Sequence, residues 1–501
     1  MNEAIRIAGA RDAPPRAGAM IEALRGLGYS AATALADIID NSIAAHATAV
    51  DLTFIWNGTS SAISILDNGD GMDDVILDRA MRLGERSPLE QRSAGDLGRF
   101  GLGLKTASFS QARRLTVASR RGGATNTLRW DLDILRDDKS GSWSLLEGPA
   151  QGSEELLASL EPLEHGTLVL WENMDRIVPR GARSQDFLEL IDVIEKHLAM
   201  VFHRYIASRK LTIRINGKSV LAWDPFLEKR ADTWRSGRDR FSVNGYEIAV
   251  EGFVLPHKDR LPEKAWADAA GPDGWTSQQG FYVYRNERLL VAGHWLGLGR
   301  GRSWTKEEPF RLARIKLDIP NSADEDWKID IRKSTARPPL EARPRLSLFA
   351  EDVRQRARKV FAFRGKPDRS TRAGPVAPAW RADRLSGSIR YRIDENHTAV
   401  AAVLEQAGPL RADVMAMLRI IEETVPVQQI WLDTAEAKDT PKTGFDGTPP
   451  DELRSIMQTV FNNLVYRKGL SPEQARRQMA VTEPFDAWSS FVETITLEQK
   501  E

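Results

Sequence analysis

The chain contains no cysteine. Disulfides, thiolate zinc sites, iron–sulfur clusters and thiol nucleophiles are excluded, and the absence fits a reducing compartment. Neither sign of charge is in excess, since 70 Lys+Arg balance 70 Asp+Glu. No global attraction to nucleic acid or to a membrane surface follows; only local patches can supply one. Long apolar runs are missing too. Hydrophobic stretches meet a charge well before the roughly 18 residues a spanning helix needs. The start, MNEAIRIAGARDAPPRAG, lacks the apolar core of a signal peptide. The expectation is a cytoplasmic protein. What is present is ordinary: 42% hydrophobic and 28% charged residues exclude a largely disordered chain. The 501 residues suggest two to four domains.

The first ten to fifteen residues read as a mobile arm. Apolar positions then recur with helical spacing at Ile21, Leu24 and Leu27, and again at Leu35, Ile38, Ile39 and Ile43. Gly28-Tyr29-Ser30 divides two helices, with Ser30 a candidate N-cap. Ala49–Trp56 and Ala62–Leu66 alternate as strands about an Asn57-Gly58 turn. Residues 84–103 hold five glycines and suggest a flexible loop, followed by a helix over Leu104–Ala112. Further strands are expected at Arg114–Ser119, Thr127–Leu132 and Gly166–Trp171, and a long helix over Phe187–Ser208. A boundary near residue 209 opens a second α+β region, with strands at Tyr246–Val254, Gly280–Tyr284 and Arg314–Ile319. Residues 341–363 read as a helix, Gly365–Ser388 as a Pro/Gly/Ser/Arg-rich linker, and 393–500 as mostly helical.

Three motifs carry chemistry. In Asp37-Ile38-Ile39-Asp40-Asn41-Ser42, positions 37 and 41 leave one face of a helix. A carboxylate there can orient a water, and an amide oxygen can coordinate a hard cation. The plainer reading is a solvated helix face, although Ile38, Ile39 and Ile43 keep that face narrow. In Asp67-Asn68-Gly69-Asp70-Gly71-Met72, a carboxylate at a strand end can accept from an exocyclic amine, and glycines let a flat base approach. A tight turn is the alternative; a calcium hand lacks its distal glutamate. Gly98-Arg99-Phe100-Gly101-Leu102-Gly103-Leu104-Lys105-Thr106 opens a helix, where backbone N–H groups favour phosphate and Lys105 adds a charge. It is neither a Walker A loop nor a dinucleotide fingerprint.

Taken together and in this order, the motifs resemble the GHKL ATPase superfamily, which includes DNA gyrase, the large heat-shock chaperones, MutL and MORC proteins. Ala36–Ala47 resembles its N-box, Asp67–Gly71 its D-x-G-x-G motif, and Gly98–Gly103 its glycine-rich lid. His165-Gly166-Thr167-Leu168-Val169-Leu170-Trp171 resembles its later G-T strand. The resemblance implies an α+β architecture: a Bergerat ATP-binding sandwich over 1–208, a transducer-like α+β domain over 209–340, a helix and basic linker over 341–392, and a helical region over 393–501.

It also implies ATP and Mg²⁺ as cofactors. Asn41 would hold Mg²⁺. Asp67, with Gly69, Gly71, Met72 and Thr167, would receive adenine. Gly98, Arg99, Phe100, Gly101, Leu102, Gly103, Leu104, Lys105 and Thr106 would wrap the phosphates. Asp37 stands where the family carries its glutamate base. Its carboxylate is set back by roughly 1–1.5 Å, and errors of about 1 Å in catalytic placement can cost ~100-fold in rate. Asp40 is expected on another face. In the second region, Trp327–Ser334 lies where MutL and MORC relatives carry a lysine for the γ-phosphate; Lys328 is the first candidate and Lys333 the second.

The order of motifs resembles prokaryotic MORC-like and MutL-like proteins most. That implies a nucleotide-gated homodimeric clamp acting on DNA or partner effectors, with a role in anti-phage defence implied by the resemblance alone. The alternative is a nucleotide-gated scaffold with negligible turnover. Between Glu351 and Leu385, ten Lys/Arg stand against four acidic residues. That patch offers DNA contacts through residues 354–384, or a solvated linker. No D-Q-H-A-type metal motif accompanies His397, so no nuclease is expected.

Overall fold

The computed structural model describes residues 15–26, 28–84, 103–299, 301–330, 333, 335–362, 377–385, 388–430 and 451–497. The expected N-terminal arm and most of the glycine-rich stretch before Gly103 lie outside the described residues. The chain forms two compact units, Met1–Gly365 and Lys366–Glu501.

The first unit begins with helices α1 (Ala17–Arg25) and α2 (Ala31–Ala44). Ser30 caps α2 through a reciprocal pair: its hydroxyl accepts the Thr33 N–H at 3.2 Å, and the Thr33 hydroxyl accepts the Ser30 N–H at 3.0 Å. Such an exchange satisfies two orphan donors at a helix start. Strands β1 (Ala49–Ile55) and β2 (Ala62–Asp67) pair antiparallel across the expected turn. Helix α3 (Asp74–Met81), with no strong periodicity to announce it, follows.

After it come α4 (Gly103–Gln111), β3 (Arg114–Arg121), β4 (Ala124–Asp131) and α5 (Leu132–Asp137). Then come β5 (Leu146–Glu147), α6 (Glu154–Leu157) and β6 (Gly166–Glu172). The expected single helix over 187–208 bends at Phe202 into α7 (Ser184–Val201) and α8 (His203–Ala207). Strands β7 (Thr212–Ile215) and β8 (Lys218–Ser219) complete an eight-stranded sheet of order β5-β4-β3-β6-β2-β1-β7-β8.

Side chains alternate across a strand with period two. Ile63, Ile65, Val117, Val169 and Trp171 therefore share one face, buried against Leu35 and Ile39 of α2, Phe109 of α4 and Leu198 of α7. Ala62, Ala118, Leu168 and Leu170 form a smaller core with Leu160 on the other face. The same alternation carries Asp67, Thr167 and Ser119 to the helix side. The register sets Asp67 opposite Thr167 and Thr167 opposite Ser119.

A second sheet follows in the same unit. Its strands are β9 (Trp234–Arg235), β10 (Asp239–Val243), β11 (Tyr246–Val254), β12 (Gly280–Arg285), β13 (Arg288–His294) and β14 (Ala313–Ile319). Helices α9 (Glu263–Ala269) and α10 (Gly274–Ser277) lie between β11 and β12. The order is β10-β11-β14-β12-β13, with β12 and β14 parallel. Helix α11 (Arg343–Ala362), expected to lead into a linker, lies on this sheet and buries Leu346, Ala350, Val353 and Ala357. Gly252 makes room for it, since a Cβ there would stand 2.5 Å from Val353.

This packing corrects part of the basic patch. Arg354 is buried, its guanidinium 3.7 Å from the centre of Phe310 and 4.7 Å from those of Trp295 and Trp304. Stacked there, it is not presented to a phosphate.

Of the linker expected over Gly365–Ser388, residues 365–376 and 386–387 lie outside the described residues, and 380–385 is a strand instead. Strands β15 (Trp380–Leu385) and β16 (Ser388–Ile393) pair as an antiparallel hairpin. Their arginines and serines gave the stretch a linker's composition, yet they sit in alternating segments that satisfy a two-strand ladder. The expected helices follow as α12 (Thr398–Gln406), α13 (Arg411–Thr424), Asp451–Asn462 and Pro472–Met479, with a short one at Ser489–Thr494. Among the described residues no helix is long and apolar enough to cross a membrane.

Candidate functional site

The site is built on α2 and the ends of three strands beneath it. At one end, Asp67 is buried where β2 stops. Its Oδ1 accepts the Gly69 N–H at 2.9 Å and the Thr167 N–H at 3.2 Å, and its Oδ2 accepts the Ser42 hydroxyl at 2.7 Å. Burial raises the Asp67 pKa above the usual carboxylate value, and those three donors oppose the rise. The Thr167 hydroxyl meets Ser119 Oγ at 2.9 Å, and the Met72 N–H donates to that same oxygen at 2.8 Å.

The glycines here are spatial necessities. Gly71 has φ +65°, and a Cβ on it would fall 2.0 Å from the Arg120 carbonyl oxygen. A Cβ on Gly69 would stand 2.7 Å from the Ala45 carbonyl oxygen. His165 Nδ1 lies 2.7 Å from the Gly69 carbonyl and ties the loop to the start of β6.

At the other end, Asp37 and Asp40 are buried on α2. Tyr29 donates its hydroxyl to Asp37 Oδ2 at 2.9 Å, and burial, followed by this carboxylate, raises the phenol's pKa. Lys333 reaches in from the second region: Nζ lies 3.1 Å from Asp37 Oδ1 and 2.5 Å from Asp40 Oδ2. Arg288, the first residue of β13, places Nε 3.2 and 3.1 Å from the two oxygens of Asp40. Its Nη2 stands 3.8 Å from Asp37 Oδ1. Burial works against the Asp40 charge, yet Arg288 and Lys333 hold its pKa below the usual range. Two carboxylates and two cations thus balance in a nearly dry cluster.

The sequence-derived residues fall as follows. Asp37 meets Lys333. Lys328, the first candidate, is instead exposed at φ +48° and makes no hydrogen bond or ion pair with α2 among the described residues. Asp40 does not point elsewhere; at i+3 from Asp37 it shares the same cation. Asn41 is exposed, and among the described residues its amide makes no hydrogen bond. Lys105 is buried, its ammonium donating to the Ala80 and Arg82 carbonyls at 2.8 Å each, where it closes the C-terminal end of α3. Thr106 is buried beside Tyr29, and Leu104 is half-buried. Gly103 opens α4, while Gly98, Arg99, Phe100, Gly101 and Leu102 lie outside the described residues.

Arg288, Tyr29, Ser42 and Ser119 were not singled out for a role by the sequence. Ser42 stands inside a stretch that the motifs already drew attention to, while Arg288 follows the expected strand over Gly280–Tyr284. Only burial distinguishes them from surface residues.

The described residues fit a nucleotide with a divalent cation. Gly69 and Gly71 lie where any side chain would collide, and Asp67 offers a buried acceptor beside them. Among the described residues no group of three or more acidic or histidine ligands could hold a metal. A magnesium ion would rest on Asn41 and on the nucleotide's own phosphates, its usual manner of binding.

The sequence model of one protein family, described as histidine kinase-, DNA gyrase B- and HSP90-like ATPase, matches residues 29–167. The N-terminal sheet and its helices therefore form a GHKL-type ATP-binding fold, and the match supports nucleotide binding by it. Arg288 and Lys333 lie beyond the matched stretch. No curated protein matches the chain.

Proposed function

We propose that this chain is a magnesium-dependent ATPase of the MORC-like and MutL-like kind, whose second region reads nucleotide occupancy through Lys333. One observation carries the reading: a lysine from outside the nucleotide fold sits on Asp37, the residue at the family's base position. Bound ATP supplies the electrophilic phosphorus and a triphosphate charge. Lys333 is a mobile point charge on a long stem and can exchange one anion for another. With Lys333 drawn away, Asp37 Oδ1 becomes free to hold a water by its proton, while Tyr29 keeps Oδ2 in place. Asn41 would hold the cation and Asp67 the adenine amine.

Nucleotide-dependent pairing of two copies, and capture of DNA or partner effectors, complete the proposal. The exposed Arg358 and Lys359 remain available for phosphate contacts, unlike Arg354.

A second reading, a nucleotide-gated scaffold with negligible turnover, is favoured by a separate observation. Both oxygens of Asp37 are already engaged, one by Tyr29 and one by Lys333. Steady-state phosphate release with Mg²⁺, with and without double-stranded DNA, decides between them. Turnover that Asp37→Ala abolishes supports the ATPase. Tight ATP binding without turnover supports the scaffold. Failure to bind ATP rejects both.

A further inference from the structure

We propose that Arg288 is a positioning residue for the ATP site. It serves as the standing counter-ion of Asp40, and so leaves Lys333 free to exchange between Asp37 and an incoming phosphate. This inference rests on the proposed function above.

The geometry gives the two cations different roles. Arg288 spans both oxygens of Asp40 and donates to its own strand's Leu289 carbonyl at 2.7 Å. Its side chain is 5% exposed against 1% for Asp40. A planar guanidinium held on one carboxylate in this way is fixed. Lys333 splits its ammonium between two carboxylates.

Remove Arg288, and Lys333 becomes the sole cation for two buried charges. It could not leave without stranding both, and an unpaired buried charge is costly. With Arg288 present, only Asp37 is uncovered when Lys333 moves, and Asp37 keeps the Tyr29 hydroxyl.

The hairpin carrying Arg288 is built to place it. Asn286 and Glu287 between β12 and β13 both have positive φ, 48° and 66°, as a tight two-residue turn requires. Two groups from the first sheet's side pin that turn. Tyr205 donates to the Asn286 carbonyl at 2.6 Å, and Lys210 meets Glu287 at 2.7 Å. His197 also lies within reach of Arg288's charge and stays neutral there, its pKa pushed down to about 4 by burial and then by that charge. The carboxylates facing Arg288 are thus Asp40 and, more distantly, Asp37.

The test separates affinity from turnover. The full-length chain, Arg288→Gln and the double variant Arg288→Gln/Asp40→Asn are titrated calorimetrically with ATP and with ADP, and phosphate release is measured alongside. Arg288→Gln should release phosphate at least roughly tenfold more slowly, the scale of a lost buried charge partner. It should also lose the preference for ATP over ADP. Adding Asp40→Asn removes the stranded charge and should restore both to within about threefold of wild type.

Arg288→Gln behaving as wild type overturns the inference. So does a folded double variant that stays as impaired as the single one, since Arg288 then acts other than through Asp40. Should Arg288→Gln fail to fold in a thermal melt, the double variant against wild type decides by the same criterion. Wild-type protein that binds neither nucleotide overturns the proposed function, and this inference with it.

Discussion

Helix α2 serves two ends of one site, and they are assembled differently. The end proposed to take adenine is local. Ser42, Asp67, Ser119 and Thr167 all belong to the first sheet and its helix, and their contacts follow from strand register. The end proposed to hold the base, Asp37, is shared. Asp37 and Asp40 come from α2, while Lys333 and Arg288 come from residues beyond the second sheet's first strands. The difference teaches where coupling resides. On the proposed function, base recognition would not need the second region, whereas the charge balance around Asp37 is set by Lys333 and Arg288 from it. A ligand shifts a conformational balance only through contacts that differ between states, and only the second end has such contacts to exchange.

A crossed pair of variants should show the largest effects. Asp67→Asn keeps the shape but sets an amide donor against a base amine and against Ser42. ATP and ADP affinity should both fall by about 100-fold, the scale of an unpaired buried polar group at a specific site. Lys333→Ala should leave ADP affinity within about threefold and abolish the ATP preference. If Lys333→Ala weakened ADP as much as ATP, the two ends would not be separable. Calorimetric titration of each variant with both nucleotides reads the outcome.

Gly71→Ala is next in size. The new Cβ would overlap the Arg120 carbonyl, and the left-handed backbone adds its own cost. An expected loss of about 2–4 kcal/mol in urea unfolding, together with loss of nucleotide binding, would place this glycine in the architecture of the adenine end. A Gly71→Ala protein with native stability would show that the loop can shift without consequence.

The two ends also differed in how far the sequence revealed them. The meeting of Asp67, Gly71 and Thr167 was legible because these residues fall in short motifs whose spacing is fixed by local geometry: a strand end, a glycine turn, a threonine on the next strand. Ser30 as the cap of α2 was legible for the same reason. The catalytic end was legible only in half. Asp37 stood out by its spacing to Asn41. Choosing between Lys328 and Lys333 required knowing which way an irregular segment turns, and both residues have positive φ that no propensity forecasts. Arg288 and Asp40 are charges buried by tertiary contact, 248 positions apart. Periodicity carries no signal for a pairing of that kind. The hairpin over 380–393 was hidden differently: its arginines and serines gave it a linker's composition, and composition outweighed alternation.

The junction itself should be acid-sensitive in a way the adenine end is not. His203 lies buried against Tyr284 at 2.7 Å, and burial, followed by the charge of Arg204, pushes its pKa down to about 3. The unfolded chain takes up a proton below about 6.5 that the folded chain refuses. Stability is therefore full above that pH and falls as the pH drops toward the folded value, by roughly 2 kcal/mol at pH 5 for this residue. Asp67, with its raised pKa, contributes in the opposite direction and only nearer the carboxylate range. Urea unfolding at pH 7 and pH 5 should show a smaller difference for His203→Gln than for wild type. Equal differences would move the acid sensitivity away from the junction.

The smallest effect is expected at the rim of that junction. Glu287 has a left-handed backbone and pairs with Lys210, the two side chains 40% and 55% exposed. Glu287→Gly relieves about 1 kcal/mol of left-handed strain. Against that gain stand the greater entropy of glycine in the unfolded chain, about 0.5–1 kcal/mol, and an exposed ion pair worth roughly 0–1 kcal/mol. These nearly cancel, so stability should stay within about 1 kcal/mol of wild type in urea unfolding. Turnover should not change either, because the Tyr205 hydroxyl still holds the turn through the Asn286 carbonyl, and Arg288 stays on Asp40. A turnover loss in Glu287→Gly at native stability would mean that the rim pair, rather than the buried one, sets where the second sheet meets Asp37.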